Sequence, residues 1–91
     1  MTNATPSAKR GLSLSRPVFA NDEIQFSAYG LGWGFRAYAL PAGLVVQSLG
    51  AADTSEQQLN LAFQVNRQRI TQAVAKANAP KHGERLILLN V

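Results

Sequence analysis

Apolar and polar residues alternate one by one through the first half of this chain and switch to helical spacing in the second. Leu12, Ser13, Leu14 and Ser15 alternate as a short strand over residues 12–15. Arg16-Pro17 keeps that strand away from a sheet centre, because proline lacks the ladder donor. Ala20-Asn21-Asp22-Glu23 reads as a turn. Ile24, Phe26 and Ala28 then alternate with Gln25, Ser27 and Tyr29. After Gly30-Leu31-Gly32, residues 33–40 set Phe35, Ala37 and Ala39 against Gly34, Arg36 and Tyr38. Two such runs about a glycine turn predict a β-hairpin with Phe26 and Phe35 facing one core.

The period changes at Pro41, which opens a short helix over residues 42–49 that Gly50 ends. Residues 54–79 read as a single long amphipathic helix. Asp53, Thr54 and Ser55 are its candidate caps, with capping-box spacing from Asp53 to Glu56 and from Ser55 to Gln58. Leu59, Ala62, Phe63, Asn66, Ile70, Ala73, Val74 and Ala77 fall on one face, and Pro80 closes the helix. Leu86, Ile87, Leu88 and Leu89 are apolar at every position, as in a strand buried on both faces or sheltered by a partner. The prediction is an α+β fold. A small, mainly antiparallel sheet of three N-terminal strands plus a C-terminal strand is covered on one face by a short helix and one long helix. Residues 1–11 read as a disordered arm, and residues 12–91 as one domain.

Composition narrows the function classes. A chain of 91 residues with 46% hydrophobic and 15% charged residues is apolar enough to fold and holds one modest core. The absence of cysteine removes disulfides, thiolate nucleophiles and cysteine-based zinc sites. No apolar run is long enough for a membrane span, and residues 1–10 lack a signal-peptide core, so the expected location is cytoplasmic. The net charge of +4 is spread over Lys9 and Arg10 in the arm and over Arg67, Arg69 and Lys76 in the long helix. Those helix cations, with Asp53 and Glu56 at the other end, complement the helix dipole.

Reactive groups are sparse. The single histidine, His82, sits in a polar loop with Glu84 nearby but without a nucleophile, so no catalytic, cofactor or metal site is assigned and a non-enzymatic role is expected. Gly32-Trp33-Gly34-Phe35-Arg36-Ala37-Tyr38 is similar to the aromatic strand of RNA-recognition and cold-shock domains. Leu31 stands there in the basic slot, and Trp33 and Phe35 would stack bases. Asn66, an amide within the apolar face, needs backbone partners or a ligand. Arg67 lies at the edge of that face, its stem packed and its guanidinium reaching out. Leu61 and Val65 lie nearly opposite, and either pack under the short helix or form a homodimer contact.

A wider pattern joins these pieces. Asp22-Glu23-Ile24-Gln25-Phe26 and Phe35-Arg36-Ala37-Tyr38-Ala39 are followed by Leu44 and Gly50, then by Glu56, Leu59, Phe63, Asn66-Arg67 and Ile70 before an apolar strand. Together they resemble, over about residues 12–90, the small bacterial proteins catalogued as domain of unknown function 1488. Phe63-Gln64-Val65-Asn66-Arg67 is the most distinctive piece, whereas Pro41, Gly43 and Val45-Val46 depart from that family's more polar short helix. The resemblance implies a compact α+β domain with no established activity; some members bear a regulator label. The expected function is therefore an interaction or accessory domain meeting a protein partner or a second copy of itself. The alternative is nucleic-acid binding through Trp33, Phe35, Arg36 and the basic arm.

Overall fold

The computed structural model describes residues 12–30, 34–77, 79–80 and 83–91. The expected arm over residues 1–11, with Lys9 and Arg10, lies outside them, as do Trp33 and His82. The elements run β1 (Leu12–Leu14), β2 (Val18–Ala20), β3 (Glu23–Gly30), β4 (Gly34–Pro41), α1 (Ala42–Leu49), α2 (Glu56–Val65), α3 (Arg67–Lys76) and β5 (Arg85–Ile87). The fold is α+β, with three helices against a five-stranded sheet that is antiparallel except where β5 joins β4 in parallel.

β1 and β2 share one edge of β3, separated by Ser15, Arg16 and Pro17. Ser15 bridges this gap: its backbone N–H donates to the Ser27 carbonyl at 2.8 Å, and its Oγ accepts from the Ser27 N–H at 2.8 Å. β2 adds a strand to the three N-terminal strands expected. Asn21 and Asp22, with φ of 55° and 62°, form the two-residue loop that turns β2 into β3. Such a loop needs left-handed residues, and Asn and Asp tolerate that region better than other non-glycine types.

The β3–β4 hairpin forms as predicted, but its second strand shows the opposite face to the core. Phe26 pairs with Tyr38, Ile24 with Leu40 and Tyr29 with Phe35. Directly paired residues share a face, so Phe35 goes with Tyr29 to the outside and is 70% exposed, while Tyr38 is fully buried. The expectation that Phe26 and Phe35 face one core is thus corrected. Gly30 pairs with Gly34, which sets the parity of the register.

All three helices cover the side of the sheet bearing Ile24, Phe26, Ala28, Tyr38 and Leu40. There they bury Val45 and Leu49 from α1, Leu59, Ala62 and Phe63 from α2, and Ile70 and Val74 from α3. Phe26 stacks on Tyr38 at 5.9 Å and meets the Phe63 ring edge-on at 5.3 Å. The α1 C-terminus turns at Gly50, whose φ of 83° is a left-handed cap.

The single long helix expected over residues 54–79 is instead two. α2 starts at Glu56, where the Ser55 Oγ accepts from the Gln58 N–H. The Ser55 hydroxyl, and then its backbone N–H, hold the exposed Asp53 carboxyl below its usual pKa range. The break falls at Asn66, with φ −107° and ψ 22°. Its Nδ2 donates to the Ala62 carbonyl at 2.8 Å, which already accepts the Asn66 backbone N–H at 3.1 Å, and also to the Leu49 carbonyl at 3.0 Å. A side-chain amide that competes for a carbonyl one turn back distorts the ladder there. The buried stripe survives the break, because Leu59, Phe63, Ile70 and Val74 all stay in the core.

The C-terminal strand is shorter than expected and lies at the sheet edge rather than buried on both faces. Ile87 is 51% and Leu89 72% exposed, while Leu88 is buried.

Burial raises the Tyr38 phenol pKa, and the Arg36 guanidinium beside it offsets part of that rise. A folded pKa above the unfolded one gives a contribution fully present below about pH 10 and lost as pH rises through the folded value. Wild-type stability should therefore fall more steeply above about pH 10 than that of Tyr38→Phe. Urea midpoints measured across alkaline pH, with Tyr29→Phe as control, check this; parallel curves for wild type and Tyr38→Phe would refute it.

Candidate functional site

Strand alternation sends every second residue away from the helices. On the uncovered face, pairing places Val18, Gln25, Ala39 and Ile87 in one row across four strands. Ser27, Ala37 and Arg85 form the next row, and Ser13, Tyr29 and Phe35 the one beyond. Large apolar side chains stand at the corners: Val18 is 58%, Tyr29 52%, Phe35 70% and Ile87 51% exposed. The middle is filled by alanine and serine. The Tyr29 and Phe35 rings lie 6.5 Å apart.

The charges on this face are balanced. Arg85 lies across it, its Nη1 donating to the Phe26 carbonyl at 3.1 Å and to the Tyr38 carbonyl at 3.0 Å. Glu23 sits toward the other end and accepts from Gln25 Nε2 at 2.8 Å.

Of the residues singled out in the sequence, Trp33 lies outside the described set. Arg36 and Tyr38 turn to the helix side, so neither shares a surface with Phe35. Asn66 is held by backbone carbonyls, those of Leu49 at the end of α1 and of Ala62 in the last turn of α2. The Arg67 guanidinium lies 5.7 Å from the Phe63 ring centroid, and it donates to Gln64 Oε1 at 3.1 Å and to the Leu14 carbonyl at 3.2 Å. It ties α3 to β1. Leu61 and Val65 do not pack under α1; they are 55% and 73% exposed on the outer side of α2. Tyr29, Val18 and Arg85, which shape the uncovered face, carried no signal of their own in the sequence, because only the strand register shows that they share a surface.

A second surface lies at the sheet's β5 edge. A groove of about 490 Å³ runs between α3 and the C-terminal segment, lined by Arg69, Lys76, Ala73 and Ala77 on the helix and by Leu86 and Leu88 opposite, among others. Arg69 closes one end, donating to the Ser48 carbonyl at 3.1 Å and to the Val91 carbonyl at 2.9 Å. Among the described residues no group of three or more His, Cys, Asp or Glu could hold a metal ion. Among them, too, no helix is long and apolar enough to cross a membrane.

No protein-family model, curated protein or solved structure matches the chain.

Proposed function

We propose that this protein is a non-enzymatic, cytoplasmic interaction domain that pairs with a second copy of itself through the uncovered sheet face. The observation that carries the reading is the grouping of Val18, Tyr29, Phe35 and Ile87, all more than half exposed, on one side of a sheet whose other side is already packed. Burying a side chain of this size is worth about 1.5–3 kcal/mol, and a small domain gains proportionately from it. Among the described strand residues of the face, one acid and one base suit a two-fold contact, in which Glu23 of one copy meets Arg85 of the other and the pairing occurs twice. An accessory or regulatory role, and the resemblance to domain of unknown function 1488, accord with this reading.

The Tyr29–Phe35 ring pair also favours a second reading, base stacking of single-stranded nucleic acid. Phosphate binding calls for cations, however, and among the described residues of these strands the charge of Arg85 on this face is balanced by Glu23.

Light scattering on the wild type should give a dimer. Phe35→Glu should raise its dissociation constant at least about a hundredfold, or about 2.7 kcal/mol, with unchanged circular dichroism. Leu61→Asp with Val65→Asp should leave the dimer intact. A wild-type monomer at high protein concentration, or dissociation only by the Leu61/Val65 variant, overturns the sheet-face contact. Salt-dependent binding of single-stranded RNA or DNA, lost in Phe35→Glu, would establish the second reading instead.

A further inference from the structure

Among the described residues, no strand pairs with the outer side of the β5 backbone. The Leu88 N–H donates to the Ala39 carbonyl at 2.8 Å, so residues 86 and 88 direct their backbone groups toward β4. The N–H and C=O of one strand residue point the same way and alternate along the chain. Ile87 therefore presents its own outward, and Leu89 follows beyond the end of the strand; both side chains are exposed. An edge of this kind is a template for another extended chain unless something blunts it.

The neighbouring groove selects which chain. Arg69, Gln72, Ala73, Lys76 and Ala77 recur at helical spacing on one side of α3 and form its wall. Ala73, Ala77, Leu86 and Leu88 give it an apolar floor. The two cations stand two helical turns apart, about 10 Å along the axis, a span that an extended chain covers in about three residues. The described side chains that line it include no carboxylate, and among the described residues the Lys76 ammonium has no hydrogen bond or ion pair. The chain's own residues 1–11 cannot complement this wall, since they carry Lys9 and Arg10 and no acid. A second copy's β5 would bring Glu84 and Arg85 together, and so no net negative charge.

We propose that the β5 edge and the α3 groove together receive an extended acidic peptide segment of a partner protein by strand addition. Its backbone pairs with Ile87 and Leu89; its carboxylates, on the helix side, face Arg69 and Lys76 with their methylene stems over Leu86, Ala73 and Ala77, and its apolar residues, sent to the other face by strand alternation, lie beside Ile87. Main-chain bonds then give affinity, and the basic wall gives the preference for acids. This proposal concerns the edge of the sheet and does not rest on pairing through its face.

The test is fluorescence anisotropy on the full chain with a short fluorescein-labelled peptide of alternating glutamate and valine, and with its lysine–valine counterpart. The acidic peptide is expected to bind and the lysine peptide not to. Lys76→Glu should weaken binding about tenfold, equivalent to about 1.4 kcal/mol. Leu89→Pro, which removes an outward N–H beyond the end of β5, should weaken it as much with unchanged circular dichroism. Phe35→Glu should leave binding intact, which separates failure of the dimer reading from failure of this one. On binding, amide exchange should slow at Ile87 and Leu89. The proposal is overturned by absent binding at about 1 mM peptide, a weaker interaction than most specific ones. It is equally overturned by equal affinity for the lysine peptide, by wild-type affinity in both edge variants, or by protection at Tyr29 and Phe35 instead.

Discussion

Phe63→Ala is expected to cost about 3–5 kcal/mol of stability, the largest effect of any single truncation considered for this fold. Phe63 is fully buried where α2 crosses the sheet. Its ring meets Phe26 edge-on at 5.3 Å, Phe26 in turn stacks on Tyr38, and the Arg67 guanidinium covers it at 5.7 Å. Truncation removes the transfer energy of the ring and opens a cavity bounded by strand side chains that the backbone holds in place. It also removes the apolar support under Arg67, and with it the positioning of the bond to the Leu14 carbonyl. Domains of this size hold only about 5–15 kcal/mol in total, so the variant should be close to unfolding at room temperature. Urea denaturation should show a sharply lowered midpoint with a similar slope. Phe63→Leu, which refills much of the space, should lose less than half as much. A loss below about 1 kcal/mol for Phe63→Ala would mean that the three-ring stack is not the centre of the core.

Asn66→Ala is expected to cost about 1–3 kcal/mol, for a different reason. The amide is the only side chain among those described that bonds both the α1 C-terminal carbonyl of Leu49 and the α2 carbonyl of Ala62. Removing it leaves the Leu49 carbonyl short of a donor inside a half-buried junction. Alanine is also the better helix former. An isolated peptide spanning α2 and α3 should therefore gain helicity from the substitution, while the intact protein loses stability. Asn66→Asp should be worse still, because it turns a carboxylate toward two carbonyl oxygens. If Asn66→Ala stabilises both peptide and protein, the break at Asn66 is not held by the contact with α1.

These two residues also mark how far the sequence could be read. The helical stripe through Leu59, Phe63, Ile70 and Val74 was legible, because burial imposes its period on residue type. The glycine-bounded hairpin and the turn at Asn21-Asp22 were legible too, since both carry residues that only such conformations favour. The break at Asn66 was not, because the carbonyl that recruits its amide belongs to Leu49, in another helix. The inverted face of β4 was not either. Phe35 and Tyr38 are both aromatic, and only the pairing with Tyr29 and Phe26 decides which of them is buried. β2 was hidden by its length of three residues and by Pro17 directly before it. The candidate surfaces suffered most. A face assembled from β2, β3, β4 and β5, and a groove shared by α3 and the C-terminal segment, depend on residues far apart in the chain.

The parallel junction of β4 and β5 has a kinetic consequence. Every other strand pair closes through a local connection, whereas Ala37 meets Arg85 only after three helices have been laid down between them. The loop-closure entropy of that long excursion is recovered late, so β5 should be the last segment to consolidate during refolding and the first to detach in native-state fluctuations. The order of assembly would then run from the hairpins outward, with the final strand acting as a latch rather than as part of the nucleus.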